Sequence, residues 1–140
     1  MNDYNGMVDY NGWIKIHMHY DDDDVVFNGS DLKRFLEEME PLESSFNNIF
    51  NRFIEYIPVN GMSGYHIYGA HNHNLNYFDD LMELYKTIGK KAPGSFGLLY
   101  VRLPEHPVYW NQYRVFRLAN GILTGHEDTL LSPCRPIIEP

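Results

Sequence analysis

Seven histidines and one run of four aspartates are the side chains with the widest chemical capacity in this 140-residue chain. His17 and His19 stand two apart in an alternating segment, and His71 and His73 repeat that spacing in a polar turn. Asp21, Asp22, Asp23 and Asp24 supply carboxylates nearby. Imidazole and carboxylate together suit zinc or iron, and residues two apart on a strand share a face. Neither pair follows a zinc-binding helical pattern, however, and the lone cysteine is remote, so no metal and no cofactor are expected. Cys134 lies in Ser132-Pro133-Cys134-Arg135. Arg135 would favour its thiolate if close, but a proline-braced tail predicts a buried structural thiol. Gly94-Ser95-Phe96-Gly97 lacks the Lys-Ser or Lys-Thr of a phosphate cradle and opens a strand, not a helix. No carboxylate pair stands out, no catalytic residue is assigned, and the chain is not expected to be an enzyme.

Recognition of a protein fits the residues better. Trp13 lies opposite the aliphatic stripe of its strand, among Lys15, His17 and His19. An aromatic anchor beside the acidic run Asp21–Asp24 is the composition of a binding hot spot. Tyr68, His71 and His73 are placed to border the same area. Trp13 covered by a loop or by the tail is the bland alternative.

The elements that must position these residues follow from periodicity. Ile14, Ile16, Met18 and Tyr20 alternate with Trp13, Lys15, His17 and His19, the period of a half-buried strand ended by the four aspartates. Ser30 caps a helix whose Leu32, Phe35, Leu36 and Met39 share a face, and Pro41 ends it or starts the next. The apolar spacing from Phe46 to Ile57 predicts a second helical stretch up to Pro58 and the Asn60-Gly61 turn. Tyr65–Ala70 reads as a strand and Gly69–Asn76 as a turn. A helix over Tyr77–Lys90 follows, with lysines near its C-terminus to suit the dipole. Ser95–Leu103, apolar on both faces, predicts a central strand. Tyr109–Ala119 predicts another, with Arg114 and Arg117 on opposite faces, and Asn120-Gly121 a turn. The order β-α-α-β-α-β-β gives an α+β fold: an antiparallel or mixed sheet of about four strands with helices packed on one face.

Length and composition frame this as one domain spanning residues 1–140. Hydrophobic residues reach 44% and aromatics 15%, enough for a core that needs neither disulfide nor metal. A single cysteine suits a reducing compartment. No apolar run approaches a membrane span, and no basic residue precedes Lys15 as a signal peptide requires, so a cytoplasmic location is expected. The net charge is −8. Residues 1–55 hold 12 acidic and 4 basic side chains, and residues 56–140 hold 7 of each, so all of the imbalance lies in the first part. That field disfavours nucleic acid and anionic membranes as partners and favours a basic one.

Several blocks together resemble the immunity protein 7 family of bacterial polymorphic toxin systems. They are Gly12-Trp13-Ile14, Asn72-His73, Ala92-Pro93-Gly94-Ser95-Phe96-Gly97-Leu98-Leu99-Tyr100-Val101, Val115–Leu118 with Ala119 and Gly121, and Leu131-Ser132-Pro133-Cys134 with Pro136. The resemblance runs from Gly12 to Glu139. It departs at Leu103-Pro104, where acidic residues are expected before Glu105, and at Asn120, where a basic residue is expected. The resemblance implies a cytoplasmic antitoxin that binds and blocks a toxin domain, often a nuclease whose basic cleft holds phosphates. The matching Gly, Pro and apolar residues then serve the fold, with partner specificity in the acidic segments. A small metal-dependent enzyme built on the histidine cluster and a generic interaction domain are the competing classes.

Overall fold

A computed structural model describes residues 6–19, 29–47, 53–58, 63–71 and 77–135. The elements are β1 (Val8–Lys15), α1 (Gly29–Phe46), β2 (Ile54–Ile57), β3 (Gly64–His71), α2 (Tyr77–Lys91), β4 (Phe96–Arg102), β5 (Tyr113–Ala119) and β6 (Ile122–Glu127). All strand pairings are antiparallel, in a six-stranded sheet of order β2-β3-β1-β4-β5-β6. The fold is α+β with helices on one face, as expected, but with six strands where about four were expected.

β1 is central because its even-numbered residues are apolar. Val8, Tyr10 and Ile14 are buried, as is Ile16 just beyond the strand, and Ile67 and Leu99 opposite Gly12 and Val101 opposite Tyr10 continue the same face. Phe35 and Met39 of α1 and Leu81, Leu84, Tyr85 and Ile88 of α2 pack on it. Gly12 permits that packing: a Cβ there would collide with the Tyr85 hydroxyl and the Leu98 carbonyl. The same hydroxyl donates to the Leu98 carbonyl (2.9 Å), which joins helix to sheet through an otherwise unsatisfied buried phenol.

Local readings changed where non-local contacts decide. Pro41 lies inside α1 without ending it, at a solvent-exposed position of the helix. The apolar spacing up to Ile57 does not continue a helix. α1 stops at Phe46, and Asn47 then pairs with the β2 backbone, its Oδ1 accepting from Ile54 N–H (3.0 Å) and its Nδ2 donating to Ile54 C=O (2.8 Å). The expected turn from Gly69 begins later, since β3 runs to His71. The strand expected from Tyr109 begins at Tyr113. After it, Asn120 (φ 53°) and Gly121 (φ 74°) form the hairpin turn into β6, both in the left-handed region that Asn and Gly tolerate.

A bolted segment closes the far end of the sheet. Asn111 is buried, accepts from Arg135 N–H (2.8 Å) and donates to Arg135 C=O (3.1 Å). The Cys134 amide donates to the Asn111 carbonyl (3.0 Å), and Ser132 Oγ accepts from Tyr113 N–H (2.9 Å). Cys134 is half-buried rather than buried, and burial pushes its thiol pKa up. Among the described residues no helix is long and apolar enough to cross a membrane.

Candidate protein-binding face

Two helices cover one side of the sheet, so the alternate residues of every strand point to the other side. In an antiparallel sheet with one uncovered face those positions are ordinarily polar. Here they include Trp13 of β1, Tyr68 of β3, Ile57 of β2 and Phe96 of β4. The register places them together: Trp13 opposite His66 and Leu98, Lys15 opposite Phe96, and Asn11 opposite Tyr68 and Tyr100. Trp13, Phe96 and Ile57 are each 41% exposed and Tyr68 61%. An exposed apolar cluster of this kind marks a contact surface more often than a defect.

The aromatic side chains brace one another. Trp13 meets Phe96 edge-on at 6.2 Å between ring centroids, and His17 stacks on the same Phe96 at 5.5 Å. His66 stacks on Tyr68 at 6.2 Å, and Tyr100 meets Tyr113 edge-on at 5.8 Å. His17 is held from behind by the fully buried Ser95, whose Oγ accepts from His17 N–H (3.1 Å) and donates to His17 C=O (3.3 Å). Ser95 stands in the Ala92–Val101 block, so that block supports the fold and also sets the edge of the face. Charges on the face are mixed. Asp9 pairs with Arg102 (3.3 Å), Glu55 lies opposite His66, and Lys15 forms no salt bridge among the described residues. The acidic side chains of the described first part concentrate instead on α1, with Asp31, Glu37, Glu38, Glu40 and Glu43 against Lys33 and Arg34. That helix belongs to the other layer.

The residues singled out in the sequence fall in different places. Trp13, His17 and Tyr68 belong to the open side. β1 ends at Lys15, so His17 and His19 are not partners on one strand: His19 Nε2 instead approaches Asp31 Oδ2 of α1 (3.5 Å). His71 lies on the helix-covered side, against Tyr77 at 3.7 Å and Phe53 at 4.4 Å between centroids. Tyr10 Oη donates to Tyr77 Oη (3.0 Å), so the 2.8 Å contact from Tyr10 Oη to His71 Nε2 needs the imidazole as donor. Burial lowers the His71 pKa and raises those of both phenols. Asp21–Asp24 and His73 lie outside the described residues. Among the described residues no three His, Cys, Asp or Glu side chains converge as a metal site.

Phe96 and Ile57 reach the face only through strand pairing, and no local signal marks them. A second exposed apolar group, Val108, Trp110, Leu130 and Leu131, lies on the bolted loops. Its tryptophan falls within the strand expected from Tyr109, and only the later start of β5 at Tyr113 places it on a loop.

Fold and surface together define an α+β domain with an exposed aromatic cluster on the side of the sheet away from its helices. A family model described as Immunity protein 7 matches residues 7–140, and the chain belongs to that family. Membership implies an immunity protein directed against a toxin. Searches of curated proteins and of solved structures return no match.

Proposed function

We propose that this protein neutralises a toxin domain of a bacterial polymorphic toxin system in the cytoplasm, by seating the open sheet face on it with Trp13 and Phe96 near the centre. The observation that carries the reading is the family match over residues 7–140. The exposed aromatic face supports the choice of surface. Six strands about 4.8 Å apart and some 23 Å long give roughly 650 Å², most of the ~800 Å² that one partner contributes to a stable interface. The toxin is a basic nuclease in this proposal, because a net charge of −8 complements a cleft built for phosphates. The acidic run Asp21–Asp24 and the acidic side of α1 then speed the encounter, and the aromatic face supplies the lasting contact. The chain inhibits by binding and performs no reaction of its own.

The test is protection. Bacteria expressing the toxin domain encoded beside this gene should grow when this chain is co-expressed and die when it is not. The two purified proteins should form a stoichiometric complex. Continued killing with both proteins folded and present would refute the proposal.

A further inference from the structure

The open face contains a slot of about 200 Å³ beside Trp13. Trp13, Lys15, Ile57, Gly64 and His66 are among the residues that line it, with Gly64 and His66 on the strand between β1 and β2. Gly64 lies opposite Lys15 on β1 and Ile57 on β2, so the strand carries no side chain where the slot opens. Ligand sites for small molecules and cofactors run to ~300–1,000 Å³. An apolar cavity of ~150 Å³ already holds a benzene ring. The slot therefore matches a single aromatic side chain and is small for a metabolite.

Charge narrows the occupant further. The chain is strongly acidic, yet the slot is lined by Lys15, which has no salt-bridge partner among the described residues. Glu55, across from His66 on β2 and two residues before Ile57, is the nearest acidic group on these strands in register. Desolvating Lys15 beneath a partner without a compensating anion would cost binding energy, so the occupant should bring one.

We propose that this slot receives one aromatic side chain of the partner protein, with a carboxylate of that partner placed against Lys15. The inference rests on the reading of the open face as the toxin-contact surface and gives that surface a docking point. It also reverses the local sign of the charge match: the partner is basic as a whole but acidic at this contact.

The test uses two small probes on the full chain, phenylacetate and benzylamine, which share a ring and differ in the sign of the attached group. Proton–nitrogen NMR titration should show phenylacetate moving the Trp13 indole N–H and the Gly64 and His66 amides, with millimolar dissociation as expected for so few atoms. Benzylamine should bind several-fold more weakly. Lys15→Ala should abolish that preference. Ile57→Trp, or His66→Trp if the first fails to fold, should fill the slot and remove the phenylacetate shifts while the rest of the spectrum stays dispersed. Shifts scattered elsewhere, equal binding of the two probes by the wild type, or phenylacetate binding that survives the filling variants would each overturn the proposal. Association of toxin with Trp13→Ala, measured separately, distinguishes the two levels. If the slot fails and Trp13 still matters, only the docking point is lost.

Discussion

Replacing Trp13 by alanine should weaken toxin binding by roughly 60-fold. An indole side chain carries about 250 Å² of surface. With 41% of Trp13 still exposed in the free protein, about 100 Å² remains to be covered by a partner. At ~25 cal/mol per Å² that is about 2.5 kcal/mol, the range of a binding hot spot, and at 1.4 kcal/mol per tenfold it gives the stated factor. The covered remainder of the ring packs on Phe96 and the sheet, so the variant should also lose up to ~3 kcal/mol of stability as an upper bound. Binding must therefore be measured where circular dichroism shows the variant fully folded. Tyr68→Ala provides a cross-check, since Tyr68 is 61% exposed and should cost little stability but a comparable share of affinity. Surface plasmon resonance with inactivated toxin should place the change mainly in the dissociation rate. Unchanged dissociation for both folded variants would refute the assignment of the face.

Other consequences are independent of that surface. His71 has a pKa lowered by burial, so the folded protein binds fewer protons than the unfolded chain just below pH ~6.5. Stability is complete above that pH and falls as the pH drops towards the depressed value. Chemical denaturation at pH 7.5 and 5 should show a larger loss in the wild type than in His71→Gln, and equal losses would contradict it. Asn111→Ala removes the two side-chain hydrogen bonds to the Arg135 backbone and should cost about 1–3 kcal/mol. It should also make Cys134, a half-buried thiol with a raised pKa, react faster with a thiol reagent, and an unchanged rate would show that the tail is held otherwise. Changing Asp21–Asp24 together to asparagine should slow toxin association and flatten its salt dependence while leaving dissociation nearly unchanged. Identical association rates and salt slopes would reduce the run to a solubility feature.

Sequence periodicity shows what a residue's own neighbours decide. The existence of β1 was legible from the alternation that begins at Trp13, but not its bounds. The strand expected from Gly12 to Tyr20 runs Val8–Lys15, because its pairing with β3 and β4 decides where it starts and stops. α2 was legible because Leu81, Tyr85 and Ile88 recur at helical spacing. The Asn120-Gly121 turn was legible because few other pairs accept positive φ. β6 was missed: as an edge strand with most of its residues exposed, Ile122–Glu127 has no buried stripe to announce it. β2 was misread because four residues are too short to separate a strand from the end of a helix, and its pairing with β3 is what decides. The site was half legible. Trp13 stood out against its own strand, whereas Phe96 and Ile57 join it only through the register of β4, β3 and β2. Tyr68 and His71 are three apart on one strand, so they had to face opposite sides, and grouping them ignored that geometry.

The most direct measurement is hydroxyl-radical footprinting of this chain, free and bound to its toxin domain, with mass-spectrometric readout at each side chain. Trp13, Tyr68, Phe96 and Ile57 are exposed in the free protein and should become protected together in the complex. Glu-bearing α1 should change little by comparison, because it lies in the other layer. Protection confined to α1 or to Trp110, Leu130 and Leu131, with Trp13 and Phe96 still fully reactive, would contradict the account.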